Sequence, residues 1–374
     1  MMSRTVWVLV FALVSAACSP TTTTTEDSDT ATTPAASVAT TTSMVAETTT
    51  TAATQSTTTT LANPTTTVPD PGISRAPFDG SLPAAFLLVD EVGLWLLSED
   101  GSYELLATGE IHVAFDDRAG GVVFQGDPFV YPDEPPPIFR LRPGAAEVEE
   151  IVTPGEQEIV DLEGVAIVDG SPTLLYLSRT WYNNPSTAGE VLVAFDLVTG
   201  AKQAVATTGG WESGASRATF GGGVFAIEGS GEGFSWLEFV DLSGFPVDYP
   251  TNPIPEVAEC FDTFECPTGV VISPDGLNLS FSRQQPDGAS EVVIHFLGSG
   301  AESAYEVAQF PFWLDYDGSV IAAYLAPVWS DAFAETVVYE LSDSGLEVRG
   351  TLPGWASIVR SEVDIVGPVE VAAP

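Results

Sequence analysis

Basic side chains are scarce in this chain. Of its 374 residues only 11 are Lys or Arg, against 52 Asp or Glu, and Lys202 is the sole lysine. The net charge of −41 repels phosphate backbones, so nucleic acid is not expected as a partner. Cations and basic surfaces are favoured, unless the charge serves only salt tolerance and solubility. Histidine occurs twice, as His112 and His295. Neither has the neighbours that a zinc site of three or four convergent ligands requires. His295 alternates with Val293 and Phe296, which points to a packed or edge position in a strand. No G-x-S-x-G elbow, EF-hand loop, phosphate loop or dinucleotide fingerprint is present, so no catalytic residue, metal or cofactor is implied. Helix is missing too: no stretch keeps a 3.6-residue apolar spacing without an intervening Gly or Pro.

Large apolar side chains are also missing from one long segment. Between Ser19 and Gly72, 23 of 54 residues are Thr, broken by Pro34, Pro64, Pro69 and Pro71. Such a segment cannot bury a core and is expected to be a disordered spacer, its ends roughly 40 Å apart as a flexible coil. Ahead of it stand Arg4, an apolar run from Val6 to Val14 and the small residues Ser15-Ala16-Ala17 before Cys18. The run is too short to span a bilayer as a helix. These residues resemble the bacterial lipobox, although Ser15 replaces the usual aliphatic residue. The resemblance implies a signal peptide over 1–17 and a lipidated Cys18 that anchors the chain in a membrane, its remainder facing the extracytoplasmic side. The alternative is an ordinary secretory signal cut near Ala17. The expected organisation is therefore signal 1–17, lipidated cysteine and linker 18–76, and folded domain 77–374. That domain carries 47 acidic residues against nine basic ones.

From about Phe86 onward a tight-turn signal recurs between short β-like runs: Asp100-Gly101, Pro143-Gly144, Thr199-Gly200, Ser243-Gly244, Ser299-Gly300 and Ser344-Gly345. The glycines are spaced 43, 56, 44, 56 and 45 residues apart. Strand-only content at a period near 50 predicts propeller blades. A second hairpin precedes most of these turns, as in Gly164–Val168 with Leu174–Ser178 and Val270–Ser273 with Leu279–Ser282, giving four strands per period. Five blades fit between about Ile111 and Thr351, and the N-terminal runs Phe86–Val89, Gly93–Leu97 and Tyr103–Leu106 lack a first strand. Trp355–Val359 can supply it, closing the ring from both ends and removing free sheet edges. The expectation is an all-β, six-bladed propeller, with seven blades as the alternative count.

Val271-Ile272-Ser273-Pro274-Asp275-Gly276, followed by Leu279-Ser280-Phe281-Ser282, resembles the repeat of TolB-like propellers, in which Ser-Pro-Asp-Gly turns between the two inner strands. Asp317-Gly318 keeps half of this pattern. The resemblance covers about a dozen residues, and it implies a fold rather than an activity.

In such a blade the connections after the second and fourth strands leave from one face. The long segments fall in that set: Asp127–Pro137, Thr180–Glu190, Gln285–Ser290 and Ala326–Glu335 within blades, and Gly209–Ala215 and Tyr249–Pro267 between them. The other turns are short and carry glycine. Aromatics beside acids and amides suit recognition of a peptide, glycan or cation, so the expected contacts are Trp181, Tyr182, Asn183, Trp211, Trp329, Asp331 and Tyr131. The alternative is that these rings merely cap gaps between blades. Cys260 and Cys266 share a Pro-rich loop outside the cytosol and are expected to pair as a disulfide. A monomeric binding or scaffold module without catalysis is the leading expectation. A carbohydrate-active hydrolase or lyase using paired carboxylates stands as the alternative, with a calcium-dependent adhesion module behind it.

Overall fold

A computed structural model describes residues 74–371, apart from 128–134, 157, 181–189, 209–212, 232–233, 250, 254–257, 260–266, 286, 326–334 and 366. Every regular element among the described residues is a strand. The strands form six sheets, one per blade, as the turn periodicity expects. Blade 1 contains β1 (Phe86–Val89), β2 (Gly93–Leu97) and β3 (Tyr103–Thr108). Blade 2 runs from β4 (Val113–Asp116) through β5 (Val122–Gln125) and β6 (Ile138–Leu141) to β7 (Glu149–Val152). Blade 3 is β8 (Glu158–Val168), β9 (Ser171–Thr180), β10 (Glu190–Asp196) and β11 (Lys202–Thr208). Blade 4 is β12 (Ser213–Gly221), β13 (Val224–Gly231), β14 (Phe234–Asp241) and β15 (Ala258–Glu259). Blade 5 is β16 (Thr268–Ile272), β17 (Asn278–Gln284), β18 (Ser290–Phe296) and β19 (Glu302–Val307). Blade 6 is β20 (Trp313–Tyr316), β21 (Val320–Leu325), β22 (Glu335–Ser342) and β23 (Gly345–Pro353). The chain then supplies β24 (Trp355–Ile358), which pairs antiparallel with β1 as the innermost strand of blade 1, Leu88 opposite Ala356.

Two features depart from the sequence expectation. Blade 1 has a fifth strand, β25 (Val369–Glu370), parallel to β3 on its outer edge. In blade 4 the third-to-fourth connection is long. Ser243-Gly244 does make a turn, with a Val240–Pro246 bridge and Val247 N–H donating to Phe239 at 2.7 Å. Pro246 and Pro253 have no N–H to donate to a ladder, and among the described residues the next pairing is that of β15 opposite Phe234 and Ser235. Much of Tyr249–Pro267, expected between blades, thus belongs inside blade 4. The β13–β14 connection is just 232–233, so the long connections are not all confined to one face.

The core lies between blades. Alternate residues of a strand point to opposite faces, so each sheet packs on two neighbours. On β13, Phe225 and Ile227 join Leu175, Leu177 and Leu192 of blade 3, while Val224 and Ala226 join Val270, Ile272 and Phe281 of blade 5. On β16, Val271 turns the other way, toward Leu314 and Ile321 of blade 6. Inner strands β1, β4 and β24 are buried at every residue, whereas β23 on the rim is largely exposed.

Polar side chains fasten successive blades. Gln125 of blade 2 accepts from Leu162 N–H at 2.9 Å and donates to Val160 O at 2.8 Å. Glu163 of blade 3 accepts from Ala218 N–H at 3.1 Å. Glu228 of blade 4 accepts from Gly269 and Val270 N–H at 3.2 and 2.8 Å. Ser282 of blade 5 donates to Pro311 O at 2.8 Å. Asp315 and Thr336 of blade 6 accept from Ile358 and Ala356 N–H at 2.8 and 3.1 Å. Ser357 of blade 1 closes the circle by donating to Ala114 O at 2.8 Å.

Candidate functional site

All six inner strands, or the turns just after them, line one axial cavity of about 460 Å³. Its wall includes the C-terminal ends of these strands, on the side of the short first-to-second turns, and on β20 it extends back to Trp313. Three of the chain's ten arginines reach it: Arg118 after β4, Arg217 on β12 and Arg360 after β24. Glu163, Asp315 and Asp317 are its acidic residues, and Phe115, Phe220, Trp313 and Tyr316 its aromatic rings.

Backbone irregularities position the charges. The register of β8 against β9 shifts between Leu162 and Gly164, leaving Glu163 as the extra residue of a bulge. β12 shifts between Ala215 and Arg217, and β16 between Thr268 and Val271. Bulges re-aim side chains and free backbone N–H groups from the ladder. Here the freed groups bond to the neighbouring blade: Ala218 N–H to Glu163, and Gly269 and Val270 N–H to Glu228.

Burial pushes the Glu163 carboxyl up to about 8, with Asp161 adding to the effect and Arg179 opposing it. Glu163 is half-buried and lines the cavity. Asp315 behaves oppositely: burial raises it, but Arg360, the Ile358 N–H and Arg217 together hold it below the usual carboxylate range. Arg360 hydrogen-bonds to Asp315 and donates to Tyr316 O at 3.1 Å. Arg217 donates to Leu314 O and lies over the Trp313 ring, 4.6 Å from its centroid. Trp313 in turn packs on Trp355 and Phe115 at 4.9 and 6.2 Å.

The residues expected to contact a ligand, Trp181, Tyr182, Asn183, Trp211, Trp329, Asp331 and Tyr131, lie outside the described residues, as do Cys18, Cys260 and Cys266. His295 is buried between Glu302, 3.1 Å from Nδ1, and Thr251 O, so it packs as its alternation expects. Gly222 and Gly223 make the turn from β12 to β13. Among the described residues no group of three or more His, Cys, Asp or Glu is placed to hold a metal ion. The axial arginines were not anticipated. The available signal was their rarity in so acidic a chain.

No protein-family model matches the sequence, and no curated protein does. Solved structures do match in fold. TolB from Acinetobacter baumannii is 13% identical with a TM-score of 0.51, over 75% of this chain and 67% of that one. An oligogalacturonate lyase from Vibrio parahaemolyticus is 13% identical with a TM-score of 0.43, over 68% of this chain and 70% of that one. A putative TolB from Agrobacterium tumefaciens is 16% identical with a TM-score of 0.43, over 62% and 80%. The chain is thus similar to TolB in its propeller fold, and at these identities in its fold alone.

Proposed function

We propose that the protein is an exported, lipid-anchored binding or scaffold module with no catalysis of its own. The observation that carries this reading is the engagement of the cavity's carboxylates. Glu163 accepts from Ala218 N–H, Asp315 from Ile358 N–H and Arg360, and Asp317 from Ser319 and Val320 N–H. Glycoside cleavage needs two carboxyl groups free to exchange protons or attack, about 5 to 10 Å apart. Carboxylates that fasten blades or close turns are poorly suited to that work. The long connections bearing Trp181, Tyr182 and Trp329 are the proposed surface for a protein, glycan or cationic partner, and Cys18 the proposed anchor. The test is fractionation followed by peptide and glycan arrays on the full chain. Cys18→Ala is expected to move the protein from membrane to soluble fraction. Trp181→Ala combined with Trp329→Ala is expected to abolish array binding. Membrane retention of the first variant, or unchanged binding by the second, overturns the corresponding half of the reading.

A further inference from the structure

Seven large apolar side chains are exposed among the described residues, and five of them fall in three consecutive blades. These are Ile167 and Val198 in blade 3, Phe245 in blade 4, and Leu277 and Phe296 in blade 5. All five lie in or beside first-to-second or third-to-fourth turns, which share one side of the ring. Single exposed apolar residues are ordinary, whereas a set on one side marks an interaction surface. Backbone contacts join the turns that carry them. Ile167 pairs with Pro172, whose carbonyl accepts from Leu197 N–H at 2.9 Å, next to Val198. Gln203 Nε2 donates to Leu242 O at 2.8 Å, setting the Phe245 turn against blade 3. Leu297 N–H donates to Leu277 O at 3.0 Å, beside Phe296.

The turns themselves do not require large side chains. A carboxylate closes each one: Asp196 accepts from Val198 N–H at 2.8 Å, Asp241 from Phe245 N–H at 3.0 Å and Asp275 from Leu277 N–H at 3.0 Å. Where the same device closes turns in blades 1, 2 and 6, the exposed donors are the small residues Ser102, Ala119 and Ser319. Val198, Phe245 and Leu277 are instead 72%, 68% and 63% exposed. Each apolar tip thus stands beside an acid. The Thr199 and Val198 amides hold Asp196 below the usual carboxylate range, and Ser273 Oγ and the Leu277 amide do the same for Asp275. Lys202, at the start of β11, is the one basic residue at these turns.

We propose that this side of blades 3 to 5 docks a basic protein, whose apolar side chains cover Val198, Phe245 and Leu277 while its Lys or Arg side chains meet Asp196, Asp241 and Asp275. Apolar contact supplies the affinity, and the paired charges select the partner and speed its approach. A second copy of this chain would bring its own charge of −41 against these carboxylates, and an anionic bilayer would be repelled likewise. The surface is separate from the long connections that bear Trp181 and Trp329, so the inference goes beyond the proposed function.

Calorimetric titration of the full chain with a synthetic peptide of alternating Leu and Lys tests it, beside octalysine and a peptide of alternating Leu and Glu. The Leu-Lys peptide is expected to bind saturably, and the other two to be weaker by about tenfold or more. Val198→Ser, Phe245→Ser and Leu277→Ser together are expected to weaken it by about tenfold while the unfolding midpoint stays in place. Asp196→Asn, Asp241→Asn and Asp275→Asn together keep the turn acceptors and are expected to weaken it comparably. Should either triple variant fail to fold, Phe245→Ser alone is expected to lower the affinity. Octalysine binding as tightly as the Leu-Lys peptide overturns the proposal, as does no binding or unchanged binding by the folded Ser variants. Self-association of the natural chain that the Ser variant loses would assign the surface to a second copy and overturn it. Cosedimentation with phosphatidylcholine vesicles that the Ser variant loses would assign it to a membrane and overturn it too. Trp181→Ala with Trp329→Ala is expected to retain the Leu-Lys peptide, which separates failure here from failure of the loop-surface reading.

Discussion

The Asp117 carboxylate and the Arg140 guanidinium form an ion pair sealed from water, their side chains 0% and 6% exposed. Oδ2 accepts from Nε at 2.8 Å and from Nη2 at 2.6 Å. Oδ1 accepts from the amides of Ala119 and Gly121, and Nη1 of Arg140 donates to Leu197 O in blade 3 at 2.9 Å. One pair therefore fixes a turn, a strand and the adjoining blade. Asp117→Ala leaves the guanidinium buried without its partner and is expected to cost about 3 to 5 kcal/mol in urea unfolding. Asp117→Asn combined with Arg140→Met removes both charges and keeps an acceptor for the turn, so it is expected to cost less. A double variant no more stable than Asp117→Ala would contradict this account.

The turns of blades 4 and 5 touch through glycine. A Cβ on Gly221 would lie 1.9 Å from Ser273 O, and Gly222 N–H donates to Pro274 O at 3.0 Å. Gly221→Ala must push two backbones apart and is expected to cost about 3 kcal/mol. Gly170 sits in the Asp169-Gly170 hairpin with φ of +81° and open space around it. Gly170→Ala carries only the left-handed penalty, about 1 to 2 kcal/mol. Thermal unfolding of the two variants should rank them in that order.

Glu163 gives stability a pH dependence of known sign. Its carboxyl titrates near 8 in the folded protein against an ordinary value of 4.5. Between those values the native state holds a proton that the unfolded chain has released, so this group's contribution is full below pH 4.5 and is lost as pH rises through 8. Glu163→Gln keeps an acceptor for Ala218 N–H and removes the titration. Its unfolding midpoint is expected to match the natural protein near pH 5 and to exceed it increasingly up to pH 8 and beyond. Parallel midpoint curves for the two proteins across that range would refute the assignment.

The blade pattern was legible because tight hairpins need left-handed backbone, which glycine adopts without penalty. Gly101, Gly144, Gly200, Gly244, Gly300 and Gly345 all have positive φ, and each marks a turn in its blade. The Ser-Pro-Asp-Gly segment explains itself in the same way: Asp275 Oδ1 accepts from Ser273 Oγ at 2.6 Å and from Leu277 N–H at 3.0 Å. Pairing that depends on few residues was not legible. β25 contributes two residues and has no alternation to detect, and the prolines after Gly244 disguise the fourth strand of blade 4. The axial cavity was hidden for another reason. A register shift beside Arg217 leaves no sequence signature, so nothing local distinguishes that arginine from one on an exposed strand face.

The pairing of β1 with β24 sets an order of events. Leu88 and Ala356, which stand opposite each other, lie near the two ends of the folded region. A chain made from its amino terminus offers the apolar inner edge of blade 1 long before β24 exists to cover it. The ring then locks in a single late step, and contacts so distant in sequence form slowly. During that interval the open edge is a target for chaperones and proteases. A chain truncated before Trp355 has no strand with which to cover that edge and cannot close the ring.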